Sequence, residues 1–124
     1  MKMKKIRKEF KTMSEVTSFL RTIEASQEVR KEIASVIKNI EKVLGCPYAE
    51  INYCEHFGND YKKESYFSEI IQSVNSYDES FNVNVRVKTE NVRLIVLIDY
   101  FKYDYNYGGN ESDENAILKI AYTD

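Results

Sequence analysis

The run from Phe81 to Ile98, "FNVNVRVKTENVRLIVLI", constrains the fold more than any other part of this chain. Phe81, Val83, Val85 and Val87 alternate with Asn82, Asn84, Arg86 and Lys88. A period of two with one polar series belongs to a strand that buries one face and wets the other. After a short turn at Thr89 to Asn91, Val92 to Ile98 is apolar on both faces, as a central strand covered on both sides would be. Strands joined by so short a turn pair antiparallel. The other segments must supply this hairpin with neighbours and with a cover for its apolar face.

The cover is helical. Val16, Phe19, Leu20 and Ile23 form one amphipathic stripe, and Val29, Ile33, Val36, Ile40 and Leu44 form a second. At about 100° per residue the two stripes are out of phase, so a single straight helix could not bury both. A break near Ala25 and Ser26 resolves this, with Ser14 as the expected N-cap of the first helix and Ser26 of the second. Gly45, followed by Pro47, marks the end, and a left-handed glycine is expected there.

The neighbours are strands. In Lys4 to Lys11, Ile6 and Phe10 fall on one side and Lys5, Arg7, Glu9 and Lys11 on the other. Met3, Ile6, Phe10 and Met13 also fit a helix, but a strand leaves Ser14 free to cap the first helix. Ala49 to Phe57 alternates as well and predicts a strand. "GND" at 58–60 predicts a turn, and Asp60 can cap a third helix carrying Phe67, Ile70, Ile71 and Val74. Ala116 to Tyr122 is read as the last strand, with a capped helix from Ser112 as its rival. The expected order is β-α-α-β-α-β-β-β, an α+β domain spanning 1–124, with a mainly antiparallel sheet and helices on one face.

Composition narrows the class. With 43% hydrophobic and 31% charged residues the chain is globular rather than disordered. No apolar run approaches the roughly 18 residues of a membrane span, and the basic start lacks the apolar core of a signal peptide. A soluble cytoplasmic protein with no membrane contact and no cofactor is expected. Cys46 and Cys54 are read as free thiols. With His56 they are spaced too loosely for a zinc site.

Charge is divided unevenly. Residues 1–45 carry 11 Lys/Arg against 6 Glu, a net of +5, whereas 46–124 carry 7 Lys/Arg against 14 Asp/Glu, a net of −7. Such a division predicts opposed basic and acidic faces, or elements that attract each other across the fold.

Few constellations could carry chemistry. Cys54 and His56, two apart on a strand, would project from one face, but their Cα atoms would lie about 7 Å apart. A thiol and its base normally meet within hydrogen-bond reach from different elements. Glu50 and Asp99 sit in strands with polar neighbours, and Asp78 and Glu79 in a connection, and no pairing among them is legible. Gly108-Gly109 lacks the companions of a phosphate loop, and "DYNYGGNESDE" lacks the ligand order of an EF-hand. The expectation is a non-enzymatic protein, with a small enzyme centred on Cys54 and His56 as an alternative.

Two places could bind a partner. Lys4, Lys5, Arg7, Lys8 and Lys11 could neutralise nucleic-acid phosphates. The overall pI of about 5.5 weighs against that, and the favoured reading is that the lysines guard an edge strand against unwanted pairing. The second place is "DYFKYDYNYGGNESDEN", 99–115, where the central strand could run on to Tyr107, turn at the glycines and return. Tyrosine offers a large contact area and a hydroxyl to bond. Asp99, Tyr103, Asp104, Tyr105, Tyr107, Glu111, Asp113 and Glu114 would then face a protein with a basic surface, in one version a nucleic-acid-handling protein blocked by carboxylates set where phosphates would lie. The rival is that the tyrosines pack on the third helix and the acids only solvate the turn. A strand edge or the hairpin could also pair with a second copy, giving a homodimer.

Overall fold

Alternation along the strands and two phased helical stripes combine into a single antiparallel sheet with both helices on one side. The computed structural model describes residues 2–46, 52–56, 65–74, 78–104 and 112–123, and for 52–56, 104 and 112 it describes the backbone alone. The elements are β1 (Met3–Phe10), α1 (Met13–Arg21), α2 (Gln27–Leu44), β2 (Asn52–His56), β3 (Ser65–Val74), β4 (Asp78–Lys88), β5 (Arg93–Asp104) and β6 (Ser112–Thr123). The sheet order is β1-β6-β5-β4-β3-β2, and every pairing is antiparallel. From β2 to β6 the chain is a meander, and β1 returns to the edge beyond β6. The α+β class and the antiparallel sheet are those read from the sequence. No helix among the described residues is long and apolar enough to cross a membrane.

The third helix is a strand. Phe67, Ile70, Ile71 and Val74 satisfy helical spacing, but residues four apart also share strand parity. Ile70 is fully buried beneath the helices, whereas Phe67, on the opposite face, is 43% exposed. Pairing with β4 at every position from Ser65 to Val74 satisfies the backbone that a helix would have satisfied internally. The expected cap Asp60 and the turn at 58–60 lie outside the described residues.

Local corrections follow from side-chain reach. Thr12, rather than Ser14, caps α1, its hydroxyl accepting from the Glu15 N–H at 3.1 Å. Ser26 caps α2 by accepting from the Val29 N–H at 3.3 Å, as expected. Gly45 ends α2 in the right-handed region, at φ −76°, and not in the left-handed one. Between β4 and β5, Thr89 closes the turn by accepting from the N–H groups of Asn91 and Val92, and its own N–H donates to the Val92 carbonyl at 2.8 Å.

One core joins these layers. Val16 and Leu20 of α1 and Val29, Ile33, Val36, Ile40 and Val43 of α2 are buried on the side of the sheet that carries Leu94, Val96 and Ile98 of β5. Phe81, Val83, Val85 and Val87 extend that surface on β4, and Ala116, Leu118, Ile120 and Tyr122 extend it on β6. At the β1 edge Ile6 and Phe10 pack against the core, and Phe10 meets Phe19 with ring centroids 5.4 Å apart. The Lys8 ammonium lies 4.7 Å from the Phe19 centroid, so its stem and charge both cover the aromatic edge.

Candidate functional site

Both helices lie on one side, so the other face of the sheet has no cover among the described residues. Strand pairing places its residues in rows across the sheet. At one end Arg93 pairs with Lys88, and the next row runs Lys5, Ala121, Ile95, Arg86, Phe67. Then come Arg7, Lys119, Leu97, Asn84 and Glu69, followed by Ile117, Asp99, Asn82 and Ile71, with Glu9 at the β1 end of that row. Beyond these lie Asn115, Phe101, Ser80 and Ser73, and finally Asp113, Tyr103 and Asp78.

The first three rows hold Lys5, Arg7, Arg86, Lys88, Arg93 and Lys119 against Glu69, and the last three hold Glu9, Asp78, Asp99 and Asp113 with no Lys or Arg among their described members. Basic and acidic groups are therefore segregated along the strands of one face, not onto opposite faces. A groove of about 430 Å³ crosses the middle, lined by Arg7, Lys119 and Asp99 together with Leu97, Ile117, Asn82 and Asn84, and Arg7 pairs with Glu9 of its own strand at 3.3 Å. Two further grooves of about 350 Å³ flank Ile95, one beside Lys88 and Arg93, the other beside Lys5 and Lys119.

The apolar part of this face is not hidden. Phe101 is 46% and Tyr103 37% exposed, and their rings stack at 6.1 Å with 10° between planes. Residues two apart on a strand project from the same face, which brings the rings together. Held against each other, they present a flat aromatic surface with Asp99 at one end and Asp113 beside Tyr103 in register.

The predicted acidic and aromatic site is divided by strand parity. Asp99, Tyr103 and Asp113 come together on the open face. Glu114 is on the helix side, where its carboxylate accepts from the Tyr100 hydroxyl at 2.7 Å. Burial, then this hydrogen bond, then the negative charges of Glu79 and Glu114 push the Tyr100 phenol well above its ordinary value of 10. Asp104 ends β5 directly opposite Ser112, so the strand continues as expected to that point. Tyr105, Tyr107 and Glu111 lie outside the described residues.

No family model, curated protein or solved structure matches this chain. The candidate site therefore stands on its own geometry.

The basic strip is split in the same way. Lys5 and Arg7 stand on the open face, whereas Lys4 and Lys8 pair with Tyr122 and Leu118 on the helix side, and Lys11 is exposed in the β1–α1 connection. Sequence reasoning missed Lys119, Arg86, Lys88 and Arg93 as companions of Lys5 and Arg7, and it left Phe101 out of the contact set. The polar parity of β4 was the available signal, but only the register shows which strands share it. Cys54 and His56 occupy β2 opposite Ile71 and Glu69. Among the described residues no three His, Cys, Asp or Glu side chains gather as a metal-binding group.

Proposed function

We propose that this chain is a non-enzymatic, cytoplasmic protein-binding module whose contact surface is the open face of the sheet, anchored at its acidic end. The stacked, exposed pair Phe101–Tyr103 between Asp99 and Asp113 carries this reading. Aromatic rings dominate interface energetics when water is excluded around them, and here they need little ordering because each already braces the other. The surrounding carboxylates select a partner with a basic surface. An inhibitor that occupies the nucleic-acid site of such a partner is the more specific form of this reading.

A photoreactive phenylalanine analogue at position 101 tests it. A partner should crosslink there and not from an analogue at Lys38 on α2. Purified, it should bind roughly tenfold or more weakly to a Phe101→Ser/Tyr103→Ser variant. Equal crosslinking from both positions, or undiminished binding, defeats the reading.

The six cations at the opposite end of the face favour one second reading, binding of single-stranded nucleic acid across the sheet. A mobility-shift titration at low salt tests it. Absence of a complex, or one that survives Lys119→Glu/Arg86→Glu, removes it.

A further inference from the structure

The acidic end of the open face calls for a basic, partly apolar surface, and the basic end of the same face is such a surface. We propose that the open face is occupied by a second copy of this chain, docked face to face about a two-fold axis that runs across the strands between the Leu97 and Asp99 rows. This rests on the reading of the face as a protein-binding surface and names its occupant.

The geometry follows from register alone. A two-fold axis lying in the interface keeps each strand's lateral position and reverses its direction, so each acidic row meets the basic row equidistant from the axis. Asp78 then stands over Lys88 of the second copy, and Glu9 over Arg7 of the second copy. Tyr103 meets Arg93 of the second copy as ring and cation. Phe101 comes down on Ile95 of the second copy, which lies between the two grooves of about 350 Å³. At the centre Asn82 meets Asn84 of the second copy, amide to amide. Every contact occurs twice, no two like charges stand directly over each other among the strand residues, and Glu69, the one carboxylate in the basic rows, stands over Ile71 of the second copy.

Size is adequate. Five strands about 4.8 Å apart and the 12-residue length of β5 give each copy a footprint of roughly 700 Å², close to the share of each partner in a standard interface. Two twisted sheets facing in this way would pack about 10 Å apart, as in a β-sandwich. Each copy's helices would remain outside.

Charge exchange tests the arrangement. The wild type should sediment at micromolar concentration as a dimer of twice its 14.6 kDa mass. The dimer should weaken as salt is raised. Lys88→Glu/Arg93→Glu should be monomeric, and so should Asp78→Lys/Asp113→Lys. An equimolar mixture of the two variants should return to the dimer, because each then presents the complement of the other. Circular dichroism of each variant guards against unfolding, and recovery in the mixture cannot come from an unfolded chain.

A wild type that is monomeric at low salt and ~100 µM overturns the proposal. So does a dimer that both variants leave intact, or two monomeric variants whose mixture fails to pair. Crosslinking from position 101 separates the two levels. Crosslinks into a second copy support the dimer. Crosslinks only into a foreign protein overturn it and leave the protein-binding reading standing. Crosslinks into nothing remove both.

Discussion

The Tyr100 hydroxyl donates to the Glu114 carboxylate at 2.7 Å, joining β5 to β6 on the helix side of the sheet. It does so at the end of the sheet where Lys102 pairs in register with both Glu79 and Glu114. Tyr100→Phe removes the donor and keeps the ring. Loss of roughly 1.5 kcal/mol is expected, the low end for a hydrogen bond to a charged group, because Glu114 is half-buried and water can replace the hydroxyl. Urea unfolding of the two proteins checks this.

The same bond sets a pH dependence. The folded phenol holds its proton above the ordinary value of 10, whereas the unfolded phenol releases it there. Its contribution is fully present below pH 10 and is lost as pH rises through the folded value. The stability difference between wild type and Tyr100→Phe should therefore be constant near neutrality and shrink above pH 10. A gap that stays constant into alkaline solution would show that the phenol is not protected.

Caps should report helix boundaries. Thr12→Ala and Ser26→Ala should each cost about 1 kcal/mol, whereas Ser14→Ala should cost much less, because Ser14 lies inside α1 and Thr12 holds the Glu15 N–H. Thermal melts of the three variants would distinguish a helix that starts at Met13 from one that starts after Ser14.

Parity of β3 can be measured in the same way. Ile70→Ala should destabilise by about 2–4 kcal/mol, since its side chain is fully buried under the helices. Phe67→Ser, on the open face, should change the stability of the isolated chain by less than about 1 kcal/mol. A helix over these residues would bury both on one stripe and make both substitutions costly.

The helices, the alternation of β1 and β4, and the run of β5 beyond Ile98 were legible because each is a local signal: a cap, a turn, a parity. Phe67, Ile70, Ile71 and Val74 misled because a spacing of three and four is compatible with two strand faces when both faces carry apolar groups. The charge division was legible only as a count along the chain. Its meaning depended on register, since Lys119 and Arg86 come from the portion that is acidic in total yet stand beside Lys5 and Arg7 of the basic portion. Pairings between strands distant in sequence leave no local trace. This is why the six-cation patch and the companions of Phe101 escaped the reading of a single sequence.

The pairing of β1 with β6 bears on how the protein is made. Met3 pairs with Thr123 and Phe10 with Ala116, so more than a hundred residues separate each partner from its mate. Closing so long a loop carries an entropic cost that only the finished sheet repays, and contacts of this span slow folding. On a ribosome adding about 5–20 residues per second, β1 would emerge several seconds before β6 exists. During that wait its backbone groups have no ladder to join, and Lys4, Lys5, Arg7 and Lys8 keep the unpaired strand hydrated and discourage other strands from taking the place of β6. The same side chains that read as a phosphate-binding strip would act first as a guard on the nascent chain.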